Sequence, residues 1–158
     1  MEYIAQIYSL SSLFYADYPN NRYPEIAFKK GRPYTCLLIE YMEDLFICVP
    51  FRSHVNHKYA YHFKNSARSR QSRSGLDYTK AVLIRNTDYL DTTTPAVVDQ
   101  DEYKEAVMNM PRIVREVFEY ISDYKDDLNG KKQLHPREKA RRYGMSALPY
   151  FDELLKEA

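Results

Sequence analysis

The sequence has few of the residues that mark several protein classes. It contains no Trp, four Gly and two Cys among 158 residues, with no low-complexity tract and no apolar run of about eighteen residues. We therefore expect neither a disordered nor a membrane-spanning protein. The first residues also lack the basic and apolar regions of an export signal. These absences predict a soluble, cytoplasmic protein that does not contact a membrane.

The two cysteines argue against a disulfide-bonded protein. Cys36 and Cys48 lie inside apolar, strand-like runs and do not form a Cys-x-x-Cys pair. Such cysteines are usually reduced core residues of an intracellular protein. The length suits one domain, and an apolar fraction of 44% is enough to build a core. We predict a single domain over residues 1–158.

Apolar runs predict the strands of an antiparallel sheet. Residues 34–40 and 45–50 are separated by a short polar connection and predict a hairpin. Residues 78–85, around Ala81-Val82-Leu83-Ile84, predict a further strand. Strand-like residues from Gln6 give way to a segment that could become helical at Ser11 or Ser12.

Helical spacing appears in the second half of the chain. Residues 101–110 and 111–128 carry apolar side chains at intervals of three and four, and Pro111 marks a kink or a new helix start. Residues 64–75 interleave Ser with Arg and predict a mobile surface loop. Sheet and helices together predict an α+β fold.

Three of the four histidines lie close together, immediately after the predicted hairpin. Histidine titrates near neutral pH, and Arg, Lys and Ser commonly contact phosphates. RNA cleaves itself when a base removes a 2′-OH proton, donors neutralise the phosphorane and an acid protonates the leaving oxygen. That reaction needs neither metal nor cofactor. The segment holds every side-chain type it requires: Arg52, Ser53, His54, His57 and Lys58.

Basic residues are concentrated around the histidines. Seven Lys or Arg and one acid lie between Arg52 and Lys80, whereas residues 91–128 hold ten acids and four bases. This asymmetry predicts one basic side that follows an RNA backbone and one acidic helical side. The residues assigned to the RNA surface are Lys30, Arg32, Asn56, Lys64, Arg68, Arg70, Arg73 and Lys80.

Other functions remain open at this point. His54, His57 and His62 could ligate a metal, although the neighbouring positive charges oppose a cation and no acid lies near in sequence. A Ser-His-Asp hydrolase is disfavoured because no Gly-x-Ser-x-Gly motif is present. A non-catalytic RNA-binding regulator could use the same basic segment. A phosphodiesterase acting on small nucleotides is a further alternative.

Four segments resemble one known family. They are Ile7-Tyr8-Ser9-Leu10-Ser11-Ser12-Leu13-Phe14-Tyr15, Arg32-Pro33-Tyr34, Pro50-Phe51-Arg52-Ser53-His54-x-x-His57-Lys58 and Gly75-Leu76-Asp77-Tyr78-Thr79-Lys80-Ala81-Val82. In this order they resemble the type III toxin–antitoxin endoribonucleases, the ToxN/AbiQ superfamily, and look most like its TenpN and CptN branch. The resemblance spans nearly the whole chain.

The resemblance implies a strongly twisted antiparallel sheet packed with several helices, and a metal-independent, sequence-selective endoribonuclease. The products would be a 2′,3′-cyclic phosphate and a 5′-OH, and the enzyme would act on cellular RNA. Its antitoxin would be a pseudoknotted RNA repeat unit, cut by the toxin and held in a closed protein–RNA assembly. The family's catalytic serine corresponds to Ser53, with Arg52 beside it on the phosphate. His54 or His57 would be the base, and Lys58 the acid or an electrostatic stabiliser.

Overall fold

The computed structural model describes residues 5–28 and 34–157, which form an α+β fold around an antiparallel sheet. Lys30 and Arg32 lie outside the described residues. The strands are β1 Gln6–Leu10, β2 Thr35–Met42, β3 Leu45–Arg52, β4 Ala60–His62, β5 Gly75–Asp77, β6 Val82–Ile84 and β7 Leu90–Asp91. The helices are α1 Ser12–Asp17, α2 Ala67–Ser72, α3 Gln100–Met108, α4 Met110–Leu128, α5 Pro136–Tyr143 and α6 Asp152–Glu157.

The β2–β3 hairpin is the centre of the sheet, and its prediction is confirmed. The strands pair antiparallel, with Leu37 opposite Val49, and both of these side chains are fully buried. Apolar residues on successive positions of β3 are buried because the sheet is covered on both faces there. The sheet order is β4-β5-β3-β2-β1-β7, and β6 also pairs with β3.

Strand β3 pairs with two different strands along one edge. Phe46–Cys48 pair with β6, and the last two residues, Phe51 and Arg52, pair with β5. The chain therefore returns to the end of β3 after 22 residues of excursion through β4 and α2. This return places the segment rich in His and Arg against the strand end that carries Arg52.

The two long helices occur where the apolar spacing predicted them. Helix α4 begins beside Pro111, which suits the first turn of a helix because proline has no N–H to donate. Its buried stripe includes Ile113, Val117 and Ile121. The hydroxyls of Tyr41 and Ser122 lie 2.7 Å apart and join this helix to β2.

Helix α1 begins at Ser12 with Ser11 as its N-cap, as the sequence suggested. Both cysteines are buried and unpaired, which confirms the expectation of reduced core residues. Within the described residues, no helix is long and apolar enough to cross a membrane.

The prediction of a mobile loop over residues 64–75 is wrong. Residues 67–72 form α2, which is capped by the Ser66 hydroxyl at the Ser69 N–H. Ser66 and Ser74 are fully buried, and each donates its hydroxyl to Glu102 of α3. A buried carboxylate from a distant helix therefore orders this segment, which has no apolar face of its own.

The predicted strand over 78–85 is shorter than expected. Residues 78–80 form a 3₁₀ turn, and only Val82–Ile84 pair with β3. The Asp77 side chain accepts from the Thr79 N–H and hydroxyl, and this local contact favours a turn over an extended backbone.

Candidate active site

A groove of about 470 Å³ lies beside the end of β3 and is called here the Arg52 groove. Three of its lining residues, Arg52, Ser53 and His54, follow one another at the strand end. Arg68 enters from α2, although it is sixteen residues away in sequence from Arg52. The remaining lining residues are Tyr34, Thr35, Phe51, Val97, Val98, Asp99 and Glu102.

The carboxylate of Asp77 fixes the position of Arg52. Asp77 is fully buried, and its Oδ2 accepts a hydrogen bond of 2.7 Å from the Arg52 guanidinium. Its Oδ1 accepts from the Thr79 hydroxyl at 2.6 Å and lies 3.1 Å from Nε2 of His57. Burial alone would raise the pKa of Asp77, but the hydrogen bonds from His57, Thr79 and Arg52 outweigh it and lower the pKa to about 2. Asp77 is therefore a carboxylate at neutral pH.

A glycine makes this arrangement possible. A Cβ atom at Gly75 would lie 2.6 Å from the carbonyl oxygen of Tyr61 on β4. Any other residue would push β4 and β5 apart, and β5 delivers Asp77 to Arg52. The glycine of the Gly-Leu-Asp-Tyr-Thr-Lys motif is therefore required by the close backbone approach.

His57 has no free ring nitrogen. Its Nδ1 accepts a hydrogen bond of 3.1 Å from the Tyr59 N–H, so the proton of a neutral ring is on Nε2. Nε2 in turn faces Oδ1 of Asp77. Because a general base needs a free lone pair near its substrate, this geometry assigns His57 to holding Asp77 in place. His57 is also absent from the lining of the Arg52 groove.

His54 is the histidine that the structure leaves available. Its side chain is exposed and lines the Arg52 groove, and its ring makes no hydrogen bond within the described residues. Its backbone is left-handed, with φ at 59°, which costs a non-glycine residue roughly 1–2 kcal/mol. The backbone N–H groups of His54 and Val55 donate to the carbonyls of Ser72 and Arg73 at 2.5 and 3.0 Å, and these bonds hold the turn.

Arg68 is fixed in the same manner as Arg52. Its Nε and one terminal nitrogen donate to the two oxygens of Glu102 at 3.3 and 2.6 Å. Glu102 is 1% exposed, and it also accepts from the hydroxyls of Ser66 and Ser74. The two arginines keep about a third of their side-chain surface exposed, 31% for Arg52 and 32% for Arg68. Each guanidinium is thus anchored at one edge and open at the other.

Other predicted residues are exposed on the surface and do not line the groove. Lys58 is exposed over the ring of Tyr59, at 5.5 Å from its centroid, and does not line the groove. Arg73 lies 3.5 Å from the Asn56 side-chain oxygen, and both residues are exposed. Lys64 and Arg70 are exposed as well. The four exposed basic residues, Lys58, Lys64, Arg70 and Arg73, are called here the basic rim.

Lys80 does not join this rim. Its ammonium donates to Glu25 at 3.0 Å and to the backbone carbonyl of Met145 at 2.6 Å, and its side chain is 14% exposed. The Lys80 ammonium is therefore occupied by contacts within the protein, and we exclude Lys80 from the proposed RNA surface. His62 also points into the fold, since its Nε2 lies 2.7 Å from the carbonyl of His57.

Sequence reasoning missed the residues that hold the site in place. Asp77 and Thr79 carried a weak signal, because an Asp two residues before a Thr often forms a local turn. Glu102 carried none, since its partners Ser66, Arg68 and Ser74 lie 28 to 36 residues away. Tyr34 adds an aromatic ring to the groove.

Within the described residues, no three His, Cys, Asp or Glu side chains are grouped closely enough to hold a metal ion. Compared with family models, curated proteins and solved structures, the chain matches none.

Proposed function

We propose that this protein is an endoribonuclease that cleaves RNA by attack of a 2′-OH on the adjacent phosphate, without a metal or cofactor. The observation that supports the proposal most strongly is the meeting of Arg52, Ser53, His54 and Arg68 in one groove. A larger groove of about 760 Å³, near β1 and β7, has no Lys, Arg or His in its lining. Of these two grooves in the described part of the chain, the Arg52 groove is the one that combines arginine donors with a histidine that can accept a proton.

In the proposed reaction His54 accepts the proton of the 2′-OH, and the 2′-oxygen forms a bond to phosphorus. The open N–H groups of Arg52 and Arg68 and the Ser53 hydroxyl hold the phosphate in place by donating to its non-bridging oxygens. The bond from phosphorus to the 5′-oxygen breaks on the side of phosphorus opposite His54, and the 5′-oxygen takes its proton from a water molecule, while His54 returns its proton to solvent. The products are a 2′,3′-cyclic phosphate and a 5′-OH.

The basic rim favours a polymeric RNA substrate over a small nucleotide. Lys58, Lys64, Arg70 and Arg73 are exposed, and we propose that they contact the phosphates that flank the cleaved bond. Tyr34 offers a ring on which an unpaired base could stack. Single-stranded RNA fits these features better than a duplex does.

The biological role proposed is that of a type III toxin. The resemblance to the ToxN/AbiQ superfamily carries this part of the proposal. Two of its segments meet at the groove: one supplies Arg52, Ser53 and His54, and the other supplies Asp77, which is buried behind Arg52. The inhibitor would be a pseudoknotted repeat RNA that the protein cuts and retains in a closed assembly.

The experiment that tests the activity is incubation of the protein with a mixed-sequence RNA pool and with DNA of the same sequences. We expect cleavage of RNA but not DNA, full activity in chelator, and 2′,3′-cyclic phosphate ends. His54→Asn and Ser53→Ala should each lower the rate by about 10²-fold or more. Lys131→Gln, an exposed site distant in sequence from the groove, is the control and should cleave normally. Tight binding without cleavage would instead identify a non-catalytic RNA-binding regulator.

A further inference from the structure

The two arginines of the Arg52 groove are each paired with a buried carboxylate. Arg52 binds Asp77, which is 0% exposed, and Arg68 binds Glu102, which is 1% exposed. The two pairs come from four different segments of the chain. Burial of both acids is unusual, because an ionised carboxyl is costly to remove from water unless it is fully hydrogen-bonded.

Every oxygen of the two carboxylates has a donor. Asp77 accepts from Arg52, Thr79 and His57, and Glu102 accepts from Arg68, Ser66 and Ser74. Each carboxylate faces one arginine, so the positive charge of each arginine is balanced by the negative charge of its partner. The guanidinium charges are therefore largely neutralised by the carboxylates behind them.

Hydrogen-bonding capacity nevertheless remains. A guanidinium carries five N–H donors, of which Arg68 uses two on Glu102 and Arg52 uses one on Asp77. The exposed third of each side chain leaves further donors for a ligand. The groove thus offers fixed donors with little net positive charge, and Asp99 in its lining adds a negative one.

We infer that Asp77 and Glu102 are positioning residues that make the groove selective for the phosphodiester of an RNA chain over a terminal phosphomonoester. A diester carries one negative charge, whereas a monoester carries about −1.5 to −2 at neutral pH. The second charge meets no uncompensated arginine in the groove and is repelled by Asp99. This selectivity rests on the proposed function for its biological meaning, but it can be measured as binding alone.

The selectivity has a chemical benefit for the proposed reaction. The cyclic phosphate product is still a monoanionic diester, while its hydrolysed form is a monoester. A groove of this kind binds the monoester weakly and releases it. It also binds internal phosphodiester linkages more tightly than the phosphorylated ends of RNA.

The test compares two ligands that differ by one methyl group: a 2′-O-methyl nucleoside 3′-phosphate and its 3′-methylphosphate diester. Neither can be cleaved, because the 2′-oxygen is blocked. Binding is followed by NMR titration of the Ser53 and His54 amides. We expect the wild-type protein to bind the diester at least about tenfold more tightly than the monoester. Equal binding, or tighter binding of the monoester, would overturn the inference.

The variant Glu102→Gln removes the compensating charge while keeping the side-chain size. It should raise affinity for the monoester and reduce the preference for the diester to about threefold or less. RNA turnover should fall about tenfold or more, without a rise in KM, because Arg68 is no longer held in place. An unchanged preference would overturn the role assigned to Glu102.

Glu105→Gln on the same helix is the matched control. Glu105 also accepts several hydrogen bonds, from Tyr61 and from the N–H groups of Lys64 and Asn65, but contacts no arginine of the groove. It should lower stability and leave the diester preference intact. If wild-type protein prefers the diester but cleaves no RNA, the proposed function fails and this inference stands.

Discussion

Replacement of Asp77 by Asn tests the carboxylate on which the catalytic side of the groove depends. The substitution preserves size but removes the charge that faces Arg52 and the acceptor that faces His57. A carboxyl whose pKa falls from 3.8 to about 2 on folding stabilises the folded protein by about 2 kcal/mol at neutral pH. An amide nitrogen facing the His57 N–H adds about 1 kcal/mol of cost.

We therefore expect Asp77→Asn to lower the free energy of unfolding by about 3 kcal/mol at pH 7, and Tm by about 6–12 °C for a chain of this length. The sign of the pH dependence follows from the lowered pKa. The stabilisation is complete above the unfolded pKa of about 4 and is lost as the pH falls through about 2.

The assay is urea unfolding of wild type and variant at a series of pH values from 7 to 2.5. The difference in free energy of unfolding between wild type and variant should stay constant from pH 7 down to about pH 4 and then become smaller. Asp91→Asn is the control, because Asp91 accepts from Thr93 as Asp77 does from Thr79 but contacts no arginine or histidine within the described residues. It should have a smaller effect at pH 7. A difference for Asp77→Asn that does not narrow below pH 4 would refute the role assigned to its charge.

Three further outcomes are expected. His54→Gly should leave the free energy of unfolding unchanged or raise it by up to about 1 kcal/mol, because the left-handed backbone suits glycine, while RNA cleavage falls by about 10²–10⁴-fold; retained cleavage would remove His54 from the mechanism. The double variant Arg70→Gln and Arg73→Gln should reduce the log–log slope of single-stranded RNA affinity against salt by about 1.4, whereas Arg137→Gln on α5 should leave the slope unchanged. An equal reduction in the Arg137→Gln control would mean that RNA does not bind specifically at Arg70 and Arg73. Gly75→Ala should destabilise the fold by several kcal/mol in thermal unfolding, because its Cβ would overlap the backbone of β4, and a stable variant would contradict that contact.

The hairpin and the long helices were predictable from the sequence because their stability comes from local patterns. The apolar runs around Leu37 and Val49 are long enough to indicate buried strands, and the apolar stripe of α4 repeats over five turns. The position of Arg52, Ser53 and His54 at a strand end followed from the same patterns. The structure brings these three residues to the lining of one groove, and their catalytic role stays a prediction.

The ordered α2 and the separate roles of the histidines could not be predicted, because distant partners determine both. Helix α2 has six residues and no apolar face, and its order depends on Glu102, which no local pattern connects to it. His54 and His57 differ little in sequence context. The Tyr59 N–H and the Asp77 carboxylate occupy the ring of His57, whereas the ring of His54 faces the groove.

The order in which the groove's parts are synthesised has a consequence for the cell. Arg52 and His54 leave the ribosome first, but their anchor Asp77 follows, and Glu102, which fixes Arg68, follows later still. A nascent chain that ends before α3 therefore has the anchor of Arg52 but not that of Arg68, and its groove is incomplete. If the protein cuts RNA as proposed, its activity would begin only after α3 has left the translating ribosome and Glu102 has bound Arg68.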